Sequence, residues 1–232
     1  MSKDKIVVLT GAGMSAESGI STFRDSGGLW EKYDIMDVAT LEAWERNMDM
    51  VNEFYNQRRK QLHEVEPNEG HYALARLEEK YDVCIITQNV DDLHERAGSS
   101  RVLHLHGELK KVRSSVDENL VYELDGWELK KGDTCEKGSQ LRPHIVWFGE
   151  PVPMIPKAAE ISSTADIYLI IGTSLNVYPA AGLVNYVSPG TPIYLIDPGE
   201  VPATHIPGVK IIKETAGKGT PKLVDELLEK AK

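Results

Sequence analysis

Short, almost continuously apolar runs recur along the chain. They cover residues 5–10, 83–87, 167–171 and 193–196, with further candidates at residues 209–212 and 102–105. Strands that are covered on both faces have this unbroken apolar character, whereas half-exposed strands alternate. The runs therefore predict a set of buried strands.

Helical patterns lie between these runs. Residues 68–80 follow Pro67 and carry apolar side chains at helical spacing, and a last helix is predicted to begin at Thr220 and Pro221. Strands that alternate with helices predict an α/β fold, in which a parallel sheet has helices on both faces.

Two stretches interrupt this alternation. Residues 31–66 have a helical pattern, and residues 108–142 are polar, contain glycine and are expected to be irregular. We interpret both as insertions that form a small lobe within a single domain spanning residues 1–232. A cleft between two lobes is a common place for a ligand.

The charge balance narrows the function classes. The chain has 26 Lys and Arg against 36 Asp and Glu, which gives a formal net charge of −10. Such an acidic chain is poorly suited to bind nucleic acid through its phosphates. The apolar runs are too short for a signal peptide or a membrane span, and two cysteines cannot build a disulfide framework. We therefore expect a cytoplasmic protein that binds neither nucleic acid nor membranes.

A glycine-rich segment directly follows the first predicted strand. It reads Gly11-Ala12-Gly13-Met14-Ser15-Ala16, the G-x-G-x-x-A pattern of dinucleotide-binding folds. In that pattern one glycine allows a sharp turn, the next lets the backbone approach a pyrophosphate, and the helix start offers free N–H groups. A plain glycine-rich turn is the alternative. No acidic residue ends a nearby second strand, but Asp197 follows a later one and is a candidate for a ribose hydroxyl.

Polar residues also follow two other predicted strands. Gln88, Asn89 and Asp91 come after the second run, and Gly172-Thr173-Ser174 come after the third. Because the carboxyl ends of parallel strands share one edge of a sheet, we expect these clusters to converge on one ligand. Taken singly, each cluster is also ordinary turn chemistry.

His104 and His106 lie two residues apart and therefore point the same way on a strand. Three interpretations stay open on the residues alone: a metal pair, a buried structural histidine, or an acid–base group in the cleft. Neither cysteine has a C-x-x-C partner, which weakens the case for a metal.

Five segments together resemble the sirtuin family. They are GAGMSAESGISTFR at residues 11–24, QNVD at 88–91, HLHG at 104–107, VWFGE at 146–150 and GTSLNVYP at 172–179. They occur in the family's order over nearly the whole chain. The resemblance implies a Rossmann-like large lobe and NAD-dependent removal of acyl groups from protein lysines. The expected products are nicotinamide and O-acyl-ADP-ribose, the expected partners are acylated-lysine proteins, and we expect a monomer.

The resemblance also implies which residues contact the cofactor. NAD would be bound by Gly11, Ala12, Gly13, Ser15, Ala16, Glu17, Phe23, Arg24, Trp30, Gln88, Asn89, Asp91, His106, Gly172, Thr173, Ser174, Asp197 and Ala216.

The catalytic residues implied by the resemblance are His106, Asn89 and Asp91. The acyl oxygen attacks the activated ribose carbon as nicotinamide leaves, and His106 then takes a proton from a ribose hydroxyl. A general base of this kind typically contributes ~10²–10⁴-fold to the rate.

Substrate contacts follow from the same resemblance. The peptide would be held as an added strand by Val146, Phe148, Gly149, Glu150, Val177 and Tyr178. Val146 and Phe148 would also line the channel for the acyl-lysine stem.

The helical insertion contains a Tyr-x-x-Arg pair. Tyr55 and Arg58 lie at i and i+3, hence on one helix face, and a phenol with a guanidinium can hold a carboxylate. On the residues alone, a core tyrosine and a solvated arginine is the more ordinary interpretation. The pair resembles the sirtuin subgroup that removes succinyl, malonyl and glutaryl groups, and the small Ala39 would widen the pocket as in that subgroup. We therefore expect a preference for acidic acyl groups, with acetyl as the family's default.

The chain departs from the family at three places. Most sirtuins carry two C-x-x-C pairs after the His-Gly motif, whereas Cys135 is the only thiol in this region, so no zinc is expected. Ser21 stands where proline is usual, and Asp197 stands where asparagine is more frequent. Without zinc, we expect the small lobe to be held by the packing of Leu120, Tyr122, Leu124 and Trp127.

Three other functions remain as alternatives: an NAD-dependent oxidoreductase, a protein ADP-ribosyltransferase, and a non-enzymatic sensor of NAD or ADP-ribose. An oxidoreductase gives no reason for the VWFGE segment or for Tyr-x-x-Arg. The intact His106, Asn89 and Asp91 disfavour a sensor.

Overall fold

The computed structural model describes residues 3–20 and 33–231. Its strands are, in chain order, β1 (Lys5–Thr10), β2 (Asp82–Thr87), β3 (Val102–His104), β4 (Gly107–Ser114), β5 (Val121–Glu123), β6 (Leu141–Ile145), β7 (Ile167–Ile171), β8 (Ile193–Ile196) and β9 (Lys210–Ile212). Its helices are α1 (Gly13–Ala16), α2 (Ile35–Val38), α3 (Leu41–Arg46), α4 (Met48–Glu64), α5 (Glu69–Leu77), α6 (Leu93–Arg96), α7 (Ile155–Ser163) and α8 (Ala216–Lys230), with a 3₁₀ helix at Ala180–Tyr186.

Six parallel strands form the main sheet, in the order β3-β2-β1-β7-β8-β9. The predicted α/β fold is therefore confirmed, and the continuous apolar runs become its strands. Thr10 at the end of β1 lies beside Thr87 of β2 and Ile171 of β7. The carboxyl ends of these three strands consequently sit at the same level, and the loops that follow them share one edge.

Apolar side chains of β1 alternate between two core layers. Val7 and Leu9 pack with Ala158 of α7 and Leu183 of the 3₁₀ helix on one face. Ile6 and Val8 belong to the layer that α5 and α8 cover on the opposite face. Both faces of the sheet are thus covered by helices, which explains why its strands are unbroken apolar runs in the sequence.

The last helix begins earlier than predicted. It starts at Ala216, so Pro221 lies inside the helix rather than at its beginning. The Glu17 carboxylate accepts hydrogen bonds from the Gly217 N–H at 2.6 Å and from the Thr215 hydroxyl at 2.9 Å. This acceptor comes from the other end of the chain, and so local sequence around residue 220 could not reveal the true start.

The helical insertion is divided into three helices by its own side chains. Thr40 Oγ1 accepts from the Ala43 N–H at 3.0 Å and begins α3, and Asn47 Oδ1 accepts from the Met50 N–H at 3.1 Å and begins α4. Such capping oxygens stabilise helix starts by satisfying N–H groups that have no partner within the helix.

The segment expected to be irregular contains an antiparallel sheet instead. β4 pairs with β5 and with β6, so much of residues 107–145 is ordered backbone. Its polar composition reflects half-exposed strands, because buried and partly exposed residues are interspersed along β4.

The side chains that hold this small sheet also differ from those predicted. Leu120, Tyr122 and Leu124 are only partly buried, and Trp127 is exposed. The buried apolar residues of this region include Leu109, Val112, Leu129, Cys135 and Ile145. Leu109 and Ile145 were missed because they pack with side chains of α4, which lies far away in the sequence.

Two polar side chains of α4 tie it to the small sheet. Asn56 donates to the Leu129 carbonyl at 3.1 Å and accepts from the Leu129 N–H at 2.9 Å. Arg59, which is 1% exposed, donates to the Trp127 carbonyl at 2.7 Å and to the Leu109 carbonyl at 3.4 Å. Burial lowers the pKa of Arg59 to about 10. Among the described helices, none is both long and apolar enough to cross a membrane.

Candidate active site

The glycine-rich loop after β1 is packed directly against the loop after β7. The Gly13 N–H donates to the Gly172 carbonyl at 2.9 Å. A Cβ atom on Gly13 would lie 2.8 Å from the Gly172 Cα, closer than a side chain can approach a backbone. In this structure the second glycine of the motif is therefore required by contact between two strand-end loops.

The expectation of several free N–H groups at this helix start is wrong. α1 has only four residues, and the N–H groups of residues 13–15 donate to carbonyls of the same two loops. Within the described part of the chain, Ala12 is the residue of this loop whose N–H has no partner. An anion would therefore meet few backbone donors here.

The residues after β2 reach both neighbouring loops. Gln88 Nε2 donates to Thr173 Oγ1 at 3.1 Å. Asn89 Nδ2 donates to the Gly11 carbonyl at 3.1 Å and to Ser15 Oγ at 3.0 Å. The ends of three adjacent strands are thereby joined, and the predicted convergence of the polar clusters is what the structure shows.

Asp91 lies inside this junction and is 5% exposed. Burial raises the pKa of its carboxyl group, while hydrogen bonds from the Leu93 N–H and the Ser15 hydroxyl, together with the charge of Arg58, act in the opposite direction. The carboxyl group is thus held between the glycine-rich loop and α4.

His106 is held in place by the backbone of Gln88. Its Nδ1 lies 3.0 Å from the Gln88 carbonyl oxygen. Because a carbonyl only accepts, Nδ1 carries the proton in the neutral ring and Nε2 carries the lone pair. Burial lowers the pKa of His106 below the ordinary histidine value. A neutral imidazole with one free basic nitrogen is suited to remove a proton near neutral pH.

His104 has a different environment. Its Nδ1 lies 3.1 Å from the Asn89 carbonyl oxygen, and its Nε2 lies 2.8 Å from Glu95 Oε1. Both ring nitrogens are engaged, and the pKa of His104 is raised because the Glu95 carboxylate outweighs the effect of burial. No group of three metal-binding side chains occurs among the described residues. The arrangement favours a structural role for His104 over a metal pair with His106.

The residues expected near the adenosine lie at the far end of this edge. Asp197 follows β8, and its Oδ1 accepts from the Gly199 N–H at 2.8 Å. The Ala216 side chain belongs to the apolar core, and Glu17 is bonded to the start of α8. Ser174 is partly exposed beside Thr173. Phe23, Arg24 and Trp30, as well as the Ser21 replacement, lie outside the described residues.

Tyr55 and Arg58 are placed on one face of α4, as their spacing predicts. Tyr55 is 3% exposed, and its hydroxyl oxygen accepts from Trp147 Nε1 at 2.9 Å. Burial raises the pKa of Tyr55 to about 12, and the charge of Arg58 acts in the opposite direction. Burial lowers the pKa of Arg58, and the charges of Tyr55 and Asp91 act in the opposite direction. Ala39 lies in the same apolar cluster as Tyr55 and Trp147.

The segment expected to pair with a peptide as a strand ends in a tight turn. The Val146 N–H donates to the His106 carbonyl and the Phe148 N–H donates to the Ala39 carbonyl, both at 2.9 Å. The Glu150 N–H then returns to the Trp147 carbonyl at 3.0 Å, with Gly149 at a φ of 87°. Only the first part of the segment is extended. Gly149 makes no hydrogen bond to the residues described here.

The side chains around this turn are exposed to different degrees. Phe148, Val177 and Tyr178 are exposed, as expected for residues that meet a substrate. The Glu150 carboxylate is bonded to Arg142 and Arg113, so its side chain is committed within the protein.

Trp147 and Arg142 were not among the residues predicted for the site. The Arg142 guanidinium lies 3.5 Å over the Trp147 ring, and the Trp147 indole donates to Tyr55. Trp147 lies inside the VWFGE segment, so the sequence could have pointed to it. Arg142 carries no signal in its local sequence.

The small lobe does not offer the residues of a structural zinc site. Cys135 donates through Sγ to Ser114 Oγ at 3.4 Å and has no second thiol nearby in the sequence. Structural zinc needs four ligands, usually cysteine and histidine. A zinc-free lobe stays a prediction, and elemental analysis of the purified protein would check it.

Comparison with known proteins gives one consistent family. The model of the Sir2 family matches residues 11–179. A protein from Bacteroides thetaiotaomicron, described as an NAD-dependent protein deacylase, is 55% identical over 228 residues, which cover 96% of this chain and 97% of the relative. A protein of the same description from Helicobacter pylori is 55% identical, with coverage of 97% and 98%.

Solved structures agree with this result. A Sir2 homologue in complex with NAD is 39% identical, covers 99% of this chain and 91% of its own, and superimposes with a TM-score of 0.90. A Sir2 protein with a deacetylated p53 peptide and 3′-O-acetyl ADP ribose is 30% identical, with coverage of 97% and 94% and a TM-score of 0.78. From sequence, fold and site together, this chain belongs to the Sir2 family.

Proposed function

We propose that this protein is an NAD-dependent protein-lysine deacylase that prefers acidic acyl groups such as succinyl and malonyl. Family membership and the deacylase relatives at 55% identity support the general activity. The observation that carries the acyl preference is the buried Tyr55 hydroxyl on the same helix face as the Arg58 guanidinium, which lies 5.8 Å from the centroid of the Phe54 ring.

The strand-end junction is the proposed binding site for the dinucleotide. Its donors and acceptors converge on one edge, and the Ala12 N–H is unpaired among the described residues. Gly11, Ser15, Gln88, Asn89 and Thr173 would hold NAD there. When bound, NAD supplies a ribose carbon whose nicotinamide substituent can leave.

His106 supplies the base. Its Nδ1–H is held by the Gln88 carbonyl, so the free Nε2 takes a proton from a hydroxyl presented at the junction. The lowered pKa of His106 keeps Nε2 unprotonated at neutral pH. Asp91 and Asn89 fix the polar wall beside it, and their hydrogen bonds to Ser15 and to backbone groups limit its movement.

The acyl chain enters beside α4. A carboxylate at its end can accept from the Tyr55 hydroxyl and, through two parallel bonds, from the Arg58 guanidinium. The pKa of Tyr55, about 12, keeps its hydroxyl protonated, so it remains a donor and does not repel the acyl carboxylate. An acetyl group has no carboxylate and gains nothing from either residue.

The test is a panel of one peptide sequence carrying acetyl-, malonyl-, succinyl- or glutaryl-lysine, each with and without NAD. We expect NAD-dependent release of nicotinamide, with a higher kcat/KM for the succinyl or malonyl peptide than for the acetyl peptide. An acetyl preference would contradict the acyl assignment. NADH absorbance would indicate an oxidoreductase, and radiolabel from NAD retained on protein would indicate an ADP-ribosyltransferase.

A further inference from the structure

The contact between Trp147 and Tyr55 fixes the hydrogen-bonding role of the phenol oxygen. An indole N–H can only donate, so the Tyr55 oxygen accepts the 2.9 Å hydrogen bond from Trp147 Nε1. Both side chains are buried, at 2% and 3% exposure. Within the described residues, no group accepts the hydrogen of the Tyr55 hydroxyl. A buried donor is thus left over beside Arg58.

Trp147 is itself held on several sides. The Arg142 guanidinium stacks over its ring at 3.5 Å, and Trp44 packs against it with ring centroids 5.8 Å apart. Arg142 is bound by both carboxylate oxygens of Glu150, at 2.8 and 3.0 Å. Glu150 also accepts from the Trp147 backbone N–H at 2.8 Å. Turning the indole would therefore break its stacking contact with the Arg142 guanidinium.

A phenol oxygen can accept one hydrogen bond while its hydrogen is donated in another, but without an accepted bond the hydrogen has no fixed direction. Arg58 lies three residues further along α4, on the same helix face as Tyr55. With the indole N–H occupying the phenol oxygen, the hydroxyl hydrogen is directed elsewhere. The two groups on α4 can then both donate to the same carboxylate.

We propose that Trp147 is a positioning residue for acidic acyl groups, which holds the Tyr55 hydroxyl as a donor to the acyl carboxylate. The inference rests on the proposed function, because it concerns the same pocket. It adds that the selectivity of the Tyr55 and Arg58 pair depends on a residue 92 positions away that does not itself touch the carboxylate.

The test is Trp147→Phe, which keeps an aromatic ring beneath Arg142 but removes the N–H donor. We expect kcat/KM for a succinyl-lysine peptide to fall about tenfold, the scale of one buried hydrogen bond. For the acetyl-lysine peptide of the same sequence, we expect a change of less than about twofold. Trp44→Phe is the matched control, because Trp44 packs against Trp147 without bonding to Tyr55, and it should leave the succinyl-to-acetyl ratio as in the parent.

A double-mutant cycle gives a second measurement that a general packing defect would not reproduce. In a Tyr55→Phe background, Trp147→Phe should cause no further loss of the succinyl-to-acetyl ratio, because the shared hydroxyl is already gone. Should Trp147→Phe fail to fold, Tyr55→Phe alone must lower that ratio, and an unchanged ratio overturns the inference.

The outcomes separate this inference from the proposed function. Equal losses for both peptides in Trp147→Phe, or an unchanged ratio, overturn the role of Trp147 while Arg58→Met still changes the ratio. If Arg58→Met also leaves the ratio unchanged, or the parent prefers acetyl, the acyl assignment fails and the role of Trp147 fails with it.

Discussion

The strand-end junction and the proposed acyl pocket are built in different ways. The junction joins residues that follow β1, β2 and β7, largely through backbone carbonyls and short side chains such as Asn89 and Thr173. The pocket joins α4 to the segment that follows β6 through long side chains, with Tyr55 bonded to Trp147. The first arrangement leaves little room for change, whereas the second can be altered one side chain at a time. We infer that shared chemistry resides in the junction and substrate choice in the pocket.

The sharpest test of this division is His106→Ala. Because His106 is the proposed base for every acyl group, we expect kcat to fall about 10²–10⁴-fold for acetyl and succinyl peptides alike. NAD affinity, measured by isothermal titration calorimetry, should change little. Loss restricted to one acyl group would place His106 in substrate choice and break the comparison.

Arg58→Met should do the opposite. Removing a charge-assisted bond to the acyl carboxylate costs about 1.5–3 kcal/mol, and so kcat/KM for succinyl-lysine should fall about 10–150-fold. The acetyl peptide should be hydrolysed nearly as before. Lys60→Met is the matched control, since Lys60 is exposed on the same helix. If the arginine variant impairs both substrates equally, the pocket does not carry selectivity.

Gly13→Ala tests how rigid the junction is. The added Cβ would lie 2.8 Å from the Gly172 Cα, so the two loops must separate. We expect a loss of about 1–3 kcal/mol in the free energy of unfolding, together with weaker NAD binding. In Gly182→Ala the new Cβ meets only ordinary contacts, at 3.9 Å, and unfolding by urea should show a smaller change. Similar stability of both variants would argue against a tightly fitted junction.

The smallest expected effect is on the pH profile. His106 must be unprotonated to act, and burial lowers its pKa. The apparent pKa of the acid limb of kcat/KM should therefore lie below the ordinary histidine value of about 6.5. At pH values below that apparent pKa, kcat/KM should drop about tenfold per pH unit. The limb should be the same for acetyl and succinyl peptides. A limb above pH 7 would contradict the assignment.

What the sequence predicted follows the same division. The main sheet was predictable because strands buried on both faces are apolar throughout, and the junction was predictable because its residues form contiguous motifs at strand ends. The small sheet was missed because β4 is mostly polar and does not alternate, since two lysines separate Leu109 from Val112, and because β5 has only three residues. The hydrogen bond from Trp147 to Tyr55 was missed because spacing along the chain carries no information about the distance between α4 and the segment that follows β6.

The position of β1 also has a consequence for synthesis on the ribosome. β1 is made first, yet it lies between β2 and β7 in the finished sheet. One edge of it can pair once residue 87 has been translated, but the other stays open until residue 171 has left the exit tunnel. For that interval the nascent chain presents an apolar, unpaired edge, the kind of surface that chaperones bind.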